Sequence, residues 1–130
     1  MFDATVTTTC GYCGVGCRLE AHTRDGKIAA ISPALDGPAN EGHTCLKGRY
    51  AFKFVKHKDR LRTPLIRYNG HFQEATWDEA YDYIVKNLTR IRNDHGGNAV
   101  GGISSARCTN EENYLMQKFI RTVFGTNNID

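Results

Sequence analysis

Four cysteines crowd the first third of this chain in one arrangement: Cys10, Cys13 and Cys17 in the order C-x2-C-x3-C, then Cys45 alone some way downstream. A fifth, Cys108, stands apart. An odd count argues against a complete disulfide framework, and so does the start of the chain. The opening MFDATVTTTC has neither the basic head nor the apolar core of a secretory signal, and no twin-arginine pair precedes Cys10. The sequence therefore reads as cytoplasmic, where thiols are kept reduced. Metal is the better use for four such cysteines. Structural zinc usually takes two C-x2-C-like pairs, whereas this chain offers three cysteines and one. A 4Fe-4S cluster needs one thiolate for each of its four irons, and a tight loop of three with a remote fourth suits it. Zinc held by the same four thiolates stays open as the structural alternative. His22 and His43 are the nearby substitute ligands and are less favoured, since four cysteines already complete the set. Gly11, Gly14 and Gly16 fit a loop that must wrap a cluster, because positive φ and close backbone approach both favour glycine.

At 130 residues, 40% hydrophobic and 24% charged, the chain lies in the ordinary soluble range. No apolar run approaches the roughly 18 residues of a bilayer span, so no membrane insertion is expected. The formal charge of +3 is spread along the chain, and nucleic acid is not indicated. Lys47, Arg49, Lys53, Lys56, Lys58, Arg60 and Arg62 gather among aromatics. A solvated face is the plainer reading of them, with an anionic ligand or acidic partner as the other.

Along the chain, Thr5 to Thr9 is β-prone, and Arg18 to Thr23 and Lys27 to Ile31 flank the hairpin turn Asp25-Gly26. An irregular stretch with Pro33, Gly37, Pro38 and Gly42 returns Cys45 toward the first three cysteines, and Leu46 to Val55 reads as a short helix. That closes a small β-rich iron-sulfur domain over 1–58, too small to be secure without a metal staple. The remainder, 59–130, reads as the beginning of a larger α/β domain. Leu61 to Tyr68 and Phe72 to Ala75 flank Asn69-Gly70, a second hairpin. Thr76 and Glu79 form a capping box, after which Trp77, Ala80, Tyr81, Ile84, Leu88 and Ile91 make an apolar stripe read as core, up to Gly96-Gly97. Ala99 to Ile103 suits a buried strand, Ser104 to Cys108 a loop, and Thr109 with Glu112 opens a last helix through Phe124. Strand, loop and helix make half of a βαβ unit. The loop Ser104-Ser105-Ala106-Arg107 aims at a helix N-terminus and is a weak candidate for an anion cradle, Arg107 included. Cys108 reads as a buried small residue.

The run Thr9-Cys-Gly-Tyr-Cys-Gly-Val-Gly-Cys17, followed by Cys45-Leu-Lys-Gly-Arg49, resembles the N-terminal iron-sulfur domain of the molybdopterin (bis-guanine dinucleotide) oxidoreductases. Asp59-Arg-Leu-Arg-Thr-Pro-Leu-Ile66, Thr76-Trp-Asp-Glu-Ala80, Ser104-Ser-Ala-Arg-Cys-Thr-Asn-Glu-Glu-Asn-Tyr114 and Gly125-Thr-Asn-Asn-Ile-Asp130 extend the resemblance over nearly the whole chain, toward the formate dehydrogenase catalytic subunit. The cysteine motif alone suits nitrate reductases and the large complex I subunit as well. The resemblance implies that Cys10, Cys13, Cys17 and Cys45 ligate one 4Fe-4S cluster. It also implies that Lys47 lies between cluster and pterin, its ammonium able to bond both. In the family a molybdenum or tungsten ion, held by two molybdopterin guanine dinucleotides and a cysteine or selenocysteine, takes formate to carbon dioxide. That ligand and its neighbouring histidine are expected a few residues beyond the Gly-Thr-Asn-Asn run, past Asp130, so no candidate catalytic ligand falls within these residues.

Formate oxidation by this chain alone is therefore not expected. The implied partners are the remaining catalytic portion of a formate dehydrogenase and other iron-sulfur or electron-acceptor subunits. Leu115, Met116, Phe119, Ile120 and Val123 on the last helix would need covering by such a partner. Two readings of other kinds compete: a stand-alone 4Fe-4S electron carrier and a zinc-stapled structural module. A selenocysteine codon read as a stop is a further, minor expectation for the end of the chain.

Overall fold

The computed structural model describes residues 1–130. Three strands, β1 (Ala4–Thr9), β2 (Arg18–Arg24) and β3 (Lys27–Pro33), form an antiparallel sheet in that order, with Thr8 opposite Leu19 and Ala21 opposite Ile31. Asp25 and Gly26 both take positive φ, 51° and 66°, as a two-residue turn matching strand twist requires. Alternation then sorts the sheet into two faces. Leu19, Ala21 and Ile31 are buried on one with Cys10, and Tyr12, Cys17, Ile28 and Phe52 pack against them. On the other face His22 bonds Thr5 Oγ1 at 2.9 Å and Ser32 Oγ at 2.7 Å, and Ser32 Oγ donates to Glu20 at 3.2 Å.

After β3 the chain is folded back by Asn40. Its side chain accepts from the Arg18 amide at 2.7 Å and donates to the His43 carbonyl at 2.6 Å, which brings the following residue pair to the start of helix α1 (Leu46–Tyr50). The expected helix to Val55 tightens at Ala51 into 3-10 turns over Ala51–Lys56. The three-residue period of that form sets Phe52 and Val55 on one side. Both line an apolar cavity of about 260 Å³ with Leu19, Ala21, Ile28 and Ile31.

The hairpin β4 (Leu65–Tyr68) and β5 (His71–Glu74) turns at Asn69 and Gly70, again at positive φ. The first strand is shorter than expected: it begins after Pro64, which has no amide to donate, and Leu61 lies exposed. Helix α2 (Trp77–His95) starts at a full capping box, with the Thr76 amide donating to Glu79 Oε2 at 2.8 Å and the Glu79 amide to Thr76 Oγ1 at 3.3 Å. It stops at Gly96, whose φ is 81°. The reading of its apolar stripe as core is corrected here. Only Ala80 is buried, Leu88 and Ile91 are half-buried, and Trp77, Tyr81 and Ile84 are 63%, 56% and 48% exposed. An amphipathic period determines which face needs cover; it does not bring the cover.

Ala99 to Ile103 is also not the buried strand expected. A 3-10 turn occupies Gly97–Ala99 and Ile103 is 86% exposed. What survives is a single parallel bridge between Gly102 and Ile129, made by the Gly102 amide on the Asn128 carbonyl at 2.8 Å and the Asp130 amide on the Gly102 carbonyl at 3.2 Å. Between these two positions runs α3 (Asn110–Phe119), prolonged by one π turn over Ile120–Phe124 that buries Ile120 and Phe124 and ends at Gly125, φ 67°. Parallel pairing across a helix is the βαβ relation at its shortest. The fold is a mixed α+β one, and no helix is long and apolar enough to cross a membrane.

Two compact units divide the chain: Met1–His57 with Ser104–Leu115, and Lys58–Ile103 with Met116–Asp130. The loop before α3 and the first residues of that helix belong to the first unit, where the Asn110 side chain donates to the Gly14 carbonyl at 2.9 Å.

Candidate metal centre

The three-cysteine loop is the wide connection between β1 and β2. The Cys10 amide donates to the Cys17 carbonyl at 2.8 Å, so the antiparallel ladder continues one step into the loop and holds its two ends together. Of the three glycines, Gly16 has the positive φ, 71°, that the loop requires. Gly14 has no positive φ and is crowded by Asn110 instead, while Gly11 shows neither feature. Cys45 arrives from the other direction as the residue capping α1, in extended conformation. One turn on, Gly48 is buried: a Cβ there would lie 3.3 Å from Cys10 Sγ and 2.6 Å from Thr44 Oγ1. Glycine lets α1 come down onto the cysteine loop.

Cys10, Cys13 and Cys45 lie within electrostatic reach of Cys17. The Cys17 thiol is pushed above its ordinary value by burial first, and then by the charges of Cys10, Cys13 and Cys45. The Cys45 thiol is held low, chiefly by the Gly48 amide and further by the amide and ammonium of Lys47, although its side chain closes no well-formed capping bond. Cys10 is buried, Cys13 and Cys17 half-buried and Cys45 exposed, and all are free thiols. Ligating as thiolates, the four would repel one another unless a positive centre sat among them. Four cysteine sulfurs, one for each of four irons, are the donor chemistry a 4Fe-4S group takes, so the residues present fit it.

Lys47 extends its ammonium to 5.4 Å from the centroid of the Tyr12 ring, and both residues line the cavity that reaches Cys10 and Gly11. Arg107 is exposed, and its recorded hydrogen bond is made by its backbone, the amide donating to Ser105 Oγ at 3.1 Å. Within that segment it is Asn110, not Arg107, that reaches the cysteine loop. His22 has both ring nitrogens engaged on the opposite face of the sheet, and His43 is exposed, its carbonyl bound by Asn40. Cys108, read as a buried small residue, is only half-buried, because it closes a tight surface turn with its amide on the Ser105 carbonyl at 3.1 Å. Asn110, Tyr12 and Gly48 were not singled out as site residues by spacing. Glycine inside a five-residue helix was the one available hint, since glycine is a poor helix former kept where backbones approach.

Comparison with known proteins agrees with this geometry. The family model described as the molybdopterin oxidoreductase Fe4S4 domain matches residues 3–57, and the one described as molybdopterin oxidoreductase matches residues 60–130. A protein of Staphylococcus aureus (strain USA300) named "putative formate dehydrogenase" is 49% identical over 123 residues, which cover 95% of this chain and 12% of the relative. A relative of the same name from Staphylococcus haemolyticus (strain JCSC1435) is 46% identical over 123 residues, with the same shares. The chain thus spans about 12% of the length of the curated relatives it matches. With both family models aligned end to end along it, the chain belongs to the molybdopterin oxidoreductases and carries their Fe4S4 domain.

Proposed function

We propose that this chain is the cluster-bearing N-terminal part of a molybdenum- or tungsten-dependent formate dehydrogenase, working in the cytoplasm. In this reading it passes electrons, during formate oxidation or carbon dioxide reduction, between a metal site held by two molybdopterin guanine dinucleotides and downstream redox centres. The observation that carries the reading is the match of the Fe4S4 domain over residues 3–57, which hold Cys10, Cys13, Cys17 and Cys45; the name of the relatives supplies the substrate.

Cys10, Cys13, Cys17 and Cys45 would hold the 4Fe-4S group, which when bound supplies one-electron transfer. The chain's own residues prepare that binding. The amides of Gly48 and Lys47 favour the Cys45 thiolate, the form that ligates metal. Cys17 keeps its proton longer, and loading it releases that proton. Lys47, held over Tyr12, would be the residue that places an ammonium between cluster and pterin, where it would offset added negative charge. Arg107 on its loop is a candidate for a pterin phosphate. Reaction with formate needs the remaining catalytic portion of the enzyme, with iron-sulfur or electron-acceptor subunits beyond it.

Metal content of anaerobically isolated native protein tests this. About four irons per chain, with molybdenum or tungsten co-purifying, is the expected result. About four irons without either metal points to a stand-alone electron carrier, and one zinc without iron overturns the redox reading.

A further inference from the structure

We infer that Asn110 is a positioning residue for the cluster: its side chain clamps the cysteine loop at Gly14 and thereby sets how Cys13 and Cys17 present their sulfurs. The inference rests on the four-cysteine cluster reading and adds to it a residue 96 positions from Gly14 in sequence.

Two features of the structure describe this contact. Asn110 Nδ2 donates to the Gly14 carbonyl at 2.9 Å, in the middle of the Cys13 to Cys17 connection. Gly14 is a glycine without a conformational need for one, since its φ is not positive. A Cβ there would lie 2.5 Å from Asn110 Oδ1 and 3.3 Å from Asn110 Cγ, so any larger residue would make the Asn110 side chain shift. The small residue and the amide are two halves of one fit. Asn110 is itself held on a firm base. It is the first residue of α3, immediately after Thr109, whose amide donates to Glu112 Oε2 at 2.7 Å while its Oγ1 accepts from the Glu112 amide at 3.2 Å. Behind it, Asn113 ties down the preceding loop, with Nδ2 donating to the Ser105 carbonyl at 3.2 Å and Oδ1 accepting from Ser104 Oγ.

The loop has few other restraints of this kind. Its ends are pinned by the Cys10 to Cys17 backbone bond, whereas Val15 and Gly16 at its crest are exposed. A hydrogen bond from a capped helix to the carbonyl between Cys13 and Val15 therefore removes much of the loop's remaining freedom. Hydrogen bonding and solvent access around the sulfurs tune a cluster's potential, so a looser loop changes its electronic signature as well as its retention.

Three variants of the anaerobically purified full-length protein test the clamp. Asn110→Asp keeps the shape but turns an oxygen toward the Gly14 carbonyl in place of the donor. If Asn110 served only the helix, an acidic residue in its first turn would be neutral or stabilising. As a clamp, its loss speeds iron release to a chelator about fivefold, the effect of losing one net hydrogen bond, and alters the electron paramagnetic resonance of the reduced cluster. Gly14→Ala displaces the same side chain and has a similar effect. Combined with Asn110→Ala it does no further harm, because the clamp is already gone. Unchanged iron release and spectrum in Asn110→Asp, or multiplying effects in the double variant, overturn the inference. Wild-type protein without iron overturns the cluster reading instead. In that case amide hydrogen exchange of Gly14 to Cys17 decides on the clamp: Asn110→Asp speeds it if the clamp exists and leaves it unchanged if not.

Discussion

The sheet that carries the cysteine loop and the helix α2 of the second unit are both amphipathic, yet one has a core and the other has a bare face. In the sheet, Leu19, Ala21 and Ile31 are buried beneath Phe52, delivered by a connection that Asn40 folds back. On α2, Trp77, Tyr81 and Ile84 keep about half their surface or more in solvent, although the helix is capped, long and regular. The second unit buries Ile66, Ala80, Ile120 and Phe124 but covers only a fraction of the stripe. Local rules are enough to make a helix. A core needs a second layer, and that is a matter of what else lies within reach.

The contrast is broken most severely by removing the metal centre. Cys17→Ser, or stripping iron with a chelator, is expected to unfold the small sheet unit while leaving α2 helical. Loss of the sheet signals in a proton-nitrogen NMR spectrum, with the α2 resonances retained, checks this. Next comes burial itself. Leu19, 3% exposed, should cost about 2–5 kcal/mol when cut to Ala, whereas Trp77→Ala should stay within about 0.5 kcal/mol in the same urea titration. Equal costs at the two positions mean that Trp77 is covered in solution.

Smaller effects test the local rules. Thr76→Ala removes the α2 capping box and should lower stability by about 1 kcal/mol, read from the urea midpoint. The partner of that cap brings a pH dependence. The Thr76 amide and hydroxyl hold the Glu79 carboxyl below its ordinary 4.5, so its contribution is whole above that value and is lost as pH falls through the lowered one. Glu79→Gln should therefore differ from wild type at neutral pH and converge with it in acid, measured by thermal unfolding across the range.

Much of this was legible in the sequence because it is local. Asp25-Gly26 and Asn69-Gly70 announce hairpins through the positive φ that both turns adopt. Thr76 with Glu79 and Thr109 with Glu112 announce helix starts through bonds that span three residues. The C-x2-C-x3-C run announces a metal loop through the chemistry of thiolates. The stripe of α2 as core, Ala99 to Ile103 as a buried strand and Cys108 as a buried residue failed over cover, which no window of one segment contains, while the helix to Val55 and the strand from Leu61 missed only in their bounds.

The sequence by itself determined where the two hairpins turn and where α2 begins and stops, and it marked four cysteines as candidates for a shared metal centre, since each depends on neighbours a few bonds away or on residue chemistry alone. Only the tertiary structure decided that Asn110 meets Gly14, that Gly48 is small because Cys10 is beside it, and that a single parallel bridge joins Gly102 to Ile129. Those are encounters between segments distant along the chain. Nothing in either segment's own sequence pattern specifies the other, because the closeness is produced by the packing and not by either segment.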